Sequence, residues 1–290
     1  MAISRAQLVK ELEPGLNALF GLEYDRYTNE TAEIFTTETS DRAFEEEVML
    51  SGFGSAATKA EGASVTFDDA KEAFTARYTH QTVALAFAIT EEAIEDNLYD
   101  RLGNRYARAL ARSMANTKQV KGAEILNNAF SSSQLGGDGV VLCSTAHPTV
   151  SGTNLSNTFT TQADLSETSL ESALINIAAF IDERGLRISI QGTKLILPKE
   201  LQFTAERILK SPLRVGTADN DINAIANMNM IPEGYRVNHY LNDTNAWFIK
   251  TDTPNGFKHF VRAALRTAME GDFDTGNVRY KARERYVFGC

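Results

Sequence analysis

The sequence predicts an α+β protein, and three stretches of the chain carry this prediction. From Thr90 to about Phe130, apolar residues recur every four positions, which is typical of a long amphipathic helix. Residues 155–240 alternate between helical and strand patterns, as expected for a compact α/β unit. Residues 241–290, which end in GNVRYKARERYVFGC, have mostly strand character. A long helix, an α/β unit and a group of C-terminal strands should therefore follow one another.

The composition allows a sizeable core and argues against several functional classes. The chain has 290 residues, of which 43% are hydrophobic and 23% charged, as in ordinary globular proteins. Its formal net charge of −9 disfavours nucleic-acid binding over the whole surface but allows a local basic face. The N-terminus lacks an apolar segment of signal-peptide length, and the apolar runs VALAFAI and ALINIAAFI are too short to cross a bilayer. Two cysteines, Cys143 and Cys290, form no disulfide framework, so we expect an intracellular protein with no membrane partner.

The first 45 residues predict an arm rather than a self-contained domain. SRAQLVKEL places Leu8 and Leu12 at helical spacing behind a Ser4 cap, and Pro14–Gly15 should end this short helix. NETAEIFTTETSDRAF follows, with many Thr and Glu residues and too few apolar residues to form a core. We expect this segment to lie on another surface.

After the arm, the pattern predicts a long hairpin. SGFGSAATKAEG is rich in small residues, and ASVTF and EAFTARYTHQT then have strand character. In the second strand, period-two alternation places Phe74, Tyr78 and His80 on one face. Because an isolated two-stranded hairpin is only marginally stable in water, either the domain body or a neighbouring subunit must cover it.

The predicted long helix carries a row of arginines. Four of them lie at offsets of four, seven and eleven, which align within a narrow band of a helix surface: Arg101, Arg105, Arg108 and Arg112. This row is either a solvated face with local ion pairs, or a surface that faces another subunit or a genome. Only Gly103 and Gly122 interrupt the helical pattern.

The predicted α/β unit contains its own start and stop signals. In TSLESALINIAAFIDERG, Thr168 and Glu171 form a capping-box pattern, and Gly185 is a candidate C-terminal cap. TKLILP should form a buried strand, PKELQFTAERILKS another helix, and YRVNHYL and NAWFIK two further strands.

The stretch LCSTAHPTVSGTNLSNT raises the question of a Cys–His nucleophile, because Cys143 and His147 lie four residues apart. Such catalysis requires a thiolate beside an imidazole, an orienting third group and oxyanion donors. Pro148 disfavours a helix here, and in an extended chain the two residues would be about 13 Å apart. A turn stabilised by local Ser, Thr and Asn side chains is therefore favoured over a soluble Cys–His hydrolase.

No other pattern indicates catalytic or cofactor chemistry. GDFDTG, with Asp272 and Asp274, departs from an EF-hand calcium loop in the positions of its glycine and of the final glutamate. The four histidines show no metal-ligand spacing, and neither a Walker sequence nor a dinucleotide-binding fingerprint occurs. We therefore expect a non-enzymatic protein without catalytic residues, metal or cofactor.

Four longer phrases of the sequence carry a resemblance to a known family: DGVVLCSTAHP, FTAERILKSPLRVGTADNDINAI, VNHYLNDTNAWFIKTD and MEGDFDTGNVRYKARERY. Together with the order of the predicted elements, they resemble the HK97-type fold of tailed-bacteriophage major capsid proteins, in particular the Mu-like major head subunits. The resemblance implies five regions: an N-terminal arm (1–45), an extended loop (46–88), a peripheral domain with a spine helix (89–154), an axial domain (155–240) and return strands of the peripheral domain (241–290).

The resemblance also implies a function. Many copies would assemble, as hexamers and pentamers, into an icosahedral shell around double-stranded DNA, with portal and scaffolding proteins as further partners. The protein would reside in the virion after assembly in the cytoplasm of the bacterial host. An encapsulin-like compartment shell, which shares the fold, and the soluble Cys–His hydrolase are the alternatives.

Within such a shell, several residues become candidates for contacts with a neighbouring subunit or with the genome. They are the arginine row together with Glu45, Glu46, Glu47, Phe74 and Tyr78. Four aligned guanidinium groups repel one another, so an anionic surface should face them. We expect this surface to be the acidic FEEE run of a neighbour, with packaged DNA as the other candidate.

Overall fold

The computed structural model describes residues 5–95, 99–214, 221–272 and 275–290, without the side chains of residues 5–12, 94–95 and 99–102. Its helices are α1 (Arg5–Arg26), α2 (Glu91–Glu95), α3 (Tyr99–Asn127), α4 (Glu167–Ala178), α5 (Gln202–Lys210) and α6 (Ala224–Asn227). Its strands are β1 (Thr36–Thr39), β2 (Phe44–Leu50), β3 (Glu72–Thr79), β4 (Gln81–Ile89), β5 (His147–Pro148), β6 (Asn154–Leu155), β7 (Gly192–Leu197), β8 (Tyr235–Val237), β9 (Phe248–Thr251), β10 (Lys258–Gly271) and β11 (Val278–Gly289). The predicted α+β class is confirmed.

These elements form two compact units. The first unit contains Met1–Glu45, Tyr78–Gly122 and Phe257–Gly289. The second unit contains Glu46–Arg77, Ala123–Gly256 and Cys290. Each unit therefore combines segments that are far apart in the sequence.

The first unit is built on a four-stranded sheet in the order β1–β10–β11–β4. β1 runs parallel to β10, and the other pairs are antiparallel. Side chains of α1, α3 and β11 form a common buried cluster on one face of the sheet: Leu16, Phe20, Ala107, Leu110, Ala111, Met114, Tyr280 and Ala282. The spacing of the α3 residues is that of one helical stripe, which explains why the periodicity of the sequence predicted this helix.

The prediction that Pro14 ends the first helix is wrong, because α1 continues through it to Arg26. A proline inside a helix costs about 3 kcal/mol through the lost hydrogen bond and the ring clash. Beyond it, Leu16 and Phe20 are each only 2% exposed. Their burial contributes about 1.5–3 kcal/mol each and offsets the cost of the proline.

The long helix is present, but over a shorter range than Thr90–Phe130. The described part consists of α2 and α3, and Leu98 lies outside the described residues. Gly103 and Gly122 do not interrupt α3. A Cβ atom at Gly122 would lie 2.3 Å from Cγ2 of Thr31, so glycine is required there for the close approach of the N-terminal segment.

The predicted hairpin exists, but one of its strands was assigned wrongly. β3 pairs with β2 rather than with ASVTF, and residues 51–71 connect the two strands. Residues 63–67 form no strand, because Val65 and Phe67 point into solvent and have no apolar surface on which to pack. β4, which follows β3, belongs to the four-stranded sheet of the first unit.

The second unit contains a three-stranded sheet in the order β8–β7–β9. β7 lies in the centre, parallel to β8 and antiparallel to β9. Leucine, isoleucine and alanine side chains from this sheet, from α4 to α6 and from the adjoining loops form its core: Leu165, Leu170, Leu174, Leu195, Leu197, Ala205, Ile208, Ile225 and Ile231.

Both predicted end signals of α4 are wrong. The capping box consists of Ser166 and Ser169, not of Thr168 and Glu171, so the helix starts two residues earlier than predicted and Leu170 is buried in its first turns. The helix ends at Ala178, and Gly185, with φ of 82°, lies in a later turn. The backbone N–H of Gly185 donates there to the carbonyl of Asp182.

Candidate assembly surfaces

Cys143 lies in a hydrogen-bonded turn, as expected, but His147 begins the short strand β5 and pairs there with Leu155. The Nδ1 atom of His147 is 2.7 Å from a carboxylate oxygen of Asp138. Asn157 accepts from the backbone N–H of Ser144 and donates to the carbonyl of Leu142, which holds the turn in place. Burial raises the pKa of the Cys143 thiol to about 11, so the thiol is protonated at neutral pH. This is the opposite of what a cysteine nucleophile requires.

We predict that Cys143→Ser and His147→Ala leave particle assembly nearly unchanged, because Cys143 belongs to this turn and His147 to the two-residue strand β5 beside it. Cys143→Ser should lower the free energy of unfolding by about 1 kcal/mol, since the thiol is partly buried. Thermal unfolding and particle counts of the two variants check this expectation. Loss of particles from a folded variant would show that the turn takes part in assembly.

Metal and membrane sites are not found in the described part of the chain. No group of three or more His, Cys, Asp or Glu residues there could hold a metal ion. In GDFDTG, Asp272 accepts from Thr275 and pairs with Arg279, whereas Asp274 lies outside the described residues. Among the described helices, none has the length and the apolar content that crossing a bilayer requires.

The structure places three members of the predicted arginine row side by side on α3. Arg105, Arg108 and Arg112 are exposed, on the side of the helix away from its buried stripe. The side chain of Arg101 is not among those described. Within the described residues, Arg105, Arg108 and Arg112 make no ion pair. The row is therefore an exposed cationic surface.

The acidic FEEE run, in contrast, already has partners in its own chain. Glu46 forms an ion pair with Arg77 on the other strand of the hairpin, with 2.5 Å between the closest atoms. Glu45 accepts a hydrogen bond of 2.5 Å from the hydroxyl of Ser40, which also lies 2.9 Å from Nε2 of His80. The sequence did not predict these contacts, because β2 was not identified as the partner strand of β3.

Phe74 and Tyr78 share one face of β3, as the alternation predicted, and both are half-buried. The ring of Tyr78 stacks on Phe260 with 5.6 Å between centroids. A Cβ atom at Gly289 would lie 2.5 Å from this ring. Tyr78 is thus packed against its own subunit.

A second feature of the hairpin was not predicted. The β2–β3 hairpin, which comprises residues 44–79 with the loop that connects the strands, exposes several large apolar side chains to solvent. They are Val48, Met49, Leu50, Phe53, Val65 and Phe67. Phe67 is 97% exposed. Large apolar side chains exposed within one segment are typical of interaction surfaces.

The fold and these surfaces define a class of protein. One unit carries a sheet backed by a long helix, the other is a small α/β unit, and a hairpin exposes large apolar side chains to solvent. These features are typical of a building block of a larger assembly.

Comparison with known proteins assigns the family. Residues 70–290 match the family described as phage capsid protein. The match spans more than half of the chain, so the chain belongs to the phage capsid protein family and is a shell-forming capsid protein. A comparison with curated proteins finds no match.

The virus-like particle from Pyrococcus furiosus and the capsid of the native GTA particle agree with this assignment at the level of the fold. The chain is similar to the virus-like particle from Pyrococcus furiosus, with 10% identity, a TM-score of 0.53 and coverage of 94% of this chain and 92% of that chain. The capsid of the native GTA particle is similar at 10% identity and a TM-score of 0.50, covering 91% and 87%. The procapsid of bacteriophage JBD30 is 16% identical over 99% of this chain and 72% of that chain, with a TM-score of 0.49. The resemblance to HK97-type capsid proteins is confirmed.

Proposed function

We propose that this chain is the major head subunit of a tailed bacteriophage, and that hexamers and pentamers of it form an icosahedral shell around double-stranded DNA. The observation that carries the proposal is the β2–β3 hairpin. Phe53, Val65 and Phe67 are more than half exposed there. Burying a side chain of this size contributes about 1.5–3 kcal/mol, so their exposure in the single subunit favours association with further copies.

The proposed regions follow the resemblance. Residues 1–45 act as the N-terminal arm, 46–88 as the extended loop, 89–154 as the peripheral domain, 155–240 as the axial domain and 241–290 as its return strands. The close approach of Thr31 to Gly122 supports an arm that lies along the spine helix. Within the proposed loop region, β4 pairs with β11, so we propose that the projecting part ends with β3.

The proposed shell encloses DNA and has further partners. Scaffolding and portal proteins would guide assembly in the bacterial cytoplasm, and the mature protein would reside in the virion. Particles from phage-producing cells, treated with nuclease before extraction, test this proposal. We expect them to protect double-stranded DNA. Particles that hold a protein cargo instead of DNA would favour an encapsulin-like compartment, and a monomer with alkylation-sensitive hydrolase activity would favour the enzyme.

The arginine row on α3 is proposed to face acidic side chains of a neighbouring subunit. Each exposed ion pair contributes only about 0–1 kcal/mol, but the contact would be repeated in every subunit of the shell. Packaged DNA is the alternative partner. The two partners differ in whether the row is needed before or after the genome enters.

Replacing Arg105 and Arg108 by Glu is therefore expected to block the assembly of empty shells without unfolding the subunit. Glu45→Arg with Glu46→Arg should partly restore assembly, provided that Arg77→Glu preserves the ion pair inside the hairpin. Particle yield by sedimentation is the measurement. Normal empty shells that lose their genome would assign the row to DNA, and wild-type assembly and packaging would leave it as a solvated face.

A further inference from the structure

In the second unit, the side chain of Glu183 is buried without a partner. Glu183 is only 6% exposed. Among the described residues, neither of its carboxylate oxygens has a hydrogen-bond partner. Buried polar groups in native proteins are almost always satisfied by protein, water or a bound ion, and a buried carboxylate without a partner is strongly destabilising. This side chain therefore requires a partner from outside the polypeptide.

The charged groups next to Glu183 in the sequence are already engaged. Asp182 accepts a hydrogen bond of 2.9 Å from the backbone N–H of Arg184. The guanidinium of Arg184 pairs with Asp68, with 2.7 Å between the closest atoms. The nearest cation along the chain is thus directed to a different carboxylate. With three carboxylates and one guanidinium, this group of residues keeps a surplus of negative charge.

Three hydroxyl groups lie beside Glu183, in the turn that joins β5 to β6. We define the hydroxyl cluster as Thr149, Ser151 and Thr153. The Oγ1 atom of Thr149 is 2.8 Å from Oγ of Ser151 and 3.0 Å from Oγ1 of Thr153, and the latter two atoms are 3.0 Å apart. The hydroxyl of Ser151 donates to the backbone carbonyl of Glu183 at 3.2 Å, which joins the cluster to the second turn.

The hydroxyl cluster has too few protons for its short oxygen–oxygen distances. Each hydroxyl group donates once. Two of the three protons are given to backbone carbonyls, from Thr149 to Thr153 and from Ser151 to Glu183. One proton remains for three distances of 2.8–3.0 Å, so lone pairs face each other in the other two. A positive charge beside the three oxygen atoms would remove this repulsion.

We propose that Glu183 and the hydroxyl cluster bind a divalent cation of the Mg²⁺ and Ca²⁺ class. Carboxylate, hydroxyl and carbonyl oxygens are the ligands that these hard cations take. In an octahedral Mg²⁺ shell with bonds of 2.0–2.1 Å, adjacent ligand oxygens lie about 2.8–3.0 Å apart, as they do in the hydroxyl cluster. The longer bonds of Ca²⁺ would spread them to about 3.3 Å or more, so tighter binding of Mg²⁺ is expected.

The proposed site differs from the usual protein metal centre. It has one carboxylate, whereas clusters of three or more His, Cys, Asp or Glu residues are absent from the described part of the chain. All its members lie in the second unit, so the inference does not depend on the proposed shell. A bound cation would join the turn of residues 149–153 to the turn that contains Glu183 and stabilise this unit.

Thermal unfolding of the metal-free full chain, with increasing MgCl₂ or CaCl₂, tests the proposal. Sodium chloride at equal ionic strength is the reference. A single carboxylate predicts weak binding, with a Kd on the order of 1 mM. At ten times this concentration, the unfolding temperature of the wild type should rise by about 2–4 °C above the reference.

Glu183→Gln, which preserves the size of the side chain, should weaken the apparent affinity by about tenfold or more, because it removes the charge from the ligand set. Without added cation it should unfold at no lower temperature than the wild type, since a buried amide costs less than a buried carboxylate. Ser151→Ala with Thr153→Val should also weaken the response. Glu124→Gln, at an exposed position of the second unit, is the matched control and should respond as the wild type.

Three results would overturn the inference. A wild type that responds to neither cation more than to sodium chloride would show that water satisfies Glu183. A full response of Glu183→Gln would place the bound cation elsewhere. Tighter binding of Ca²⁺ than of Mg²⁺ would contradict the fit of the hydroxyl cluster to an octahedral Mg²⁺ shell.

Discussion

Removing residues 52–70 and joining Ser51 to Lys71 through a short Gly-Ser linker is expected to give a folded subunit that forms no shells. The two anchor residues already meet, because the backbone N–H of Ser51 donates to the carbonyl of Lys71 at 2.8 Å. The deleted loop is largely exposed and loses one surface ion pair, Asp68 with Arg184, which contributes at most about 1 kcal/mol. The contacts between subunits in the shell, in contrast, would lose the apolar side chains of Phe53 and Phe67, so shells should not form.

The boundaries of this deletion come from the structure. The sequence alone would place it at Gly52–Arg77, but residues 72–77 belong to β3. A Cβ atom at Gly137 would lie 2.8 Å from the backbone nitrogen of Ala76, so this strand is packed closely against the second unit's own chain.

Thermal unfolding and sedimentation measure the two expected effects of the deletion separately. Phe53→Ser with Phe67→Ser keeps the length of the loop and should also abolish shells, whereas Lys59→Ala in the same loop should not. A deletion variant without a cooperative thermal transition would place the loop inside the core of the subunit and contradict this account.

Lys118→Met is expected to lower the free energy of unfolding by about 3–5 kcal/mol, because it removes one partner of a buried ion pair. The Nζ atom of Lys118 lies 3.6 Å from a carboxylate oxygen of Glu284, whose side chain is 3% exposed. Burial raises the pKa of Glu284, and Lys118 opposes that shift. Without the lysine, an uncompensated carboxylate would remain inside the first unit. Lys118→Met combined with Glu284→Leu should recover most of the loss.

The deficit of Lys118→Met should become smaller at low pH. A carboxyl group whose pKa is raised in the folded state binds its proton more tightly there than in the unfolded chain. The folded protein is therefore stabilised as the pH falls from the raised pKa towards the ordinary glutamate pKa of about 4.3. His259 also makes the deficit of Lys118→Met smaller at low pH. Burial, and secondly Lys118, lower its pKa to about 4, so removing Lys118 weakens the acid destabilisation that a buried neutral histidine causes.

Melting curves of the wild type and of the Lys118→Met variant at pH 8 and pH 5 measure this difference. An equal deficit at both pH values would contradict a buried ionised Glu284. A double variant as unstable as Lys118→Met alone would show that packing, and not the charge, causes the loss.

The elements that the sequence predicts well are those in which local periodicity coincides with burial. The stripe of α3, with Leu110 and Met114, and the alternation of β11 depend only on neighbours along the chain. The continuation of α1 through Pro14 depends on contacts with distant segments of the chain. The local sequence around Pro14 therefore predicted the wrong end for this helix. ASVTF has the composition of a strand, but it forms none, because Val65 and Phe67 have no apolar surface of the subunit on which to pack.

Among the candidate surfaces, too, those that depend on local spacing are predicted from the sequence, and those that depend on the pairing of distant strands are not. The arginine row of α3 follows from spacing alone, and the structure brings its three described members together. For VRYKARERY the sequence predicts only a strand, in which Arg279, Lys281 and Arg283 alternate with buried residues. The alanines that lie across from these cations, Ala84, Ala86 and Ala88, could not be predicted, because their position depends on the pairing of β11 with the distant strand β4.

We propose that this chain completes its exposed surfaces with further copies of itself. Negative-stain electron microscopy of the purified full chain, with light scattering on the same sample, tests it most directly, if required after co-expression with a scaffolding protein. We expect closed shells of uniform size, with a mass many times the 31.9 kDa of one subunit. A discrete monomer at every concentration, with or without the scaffolding protein, would contradict it.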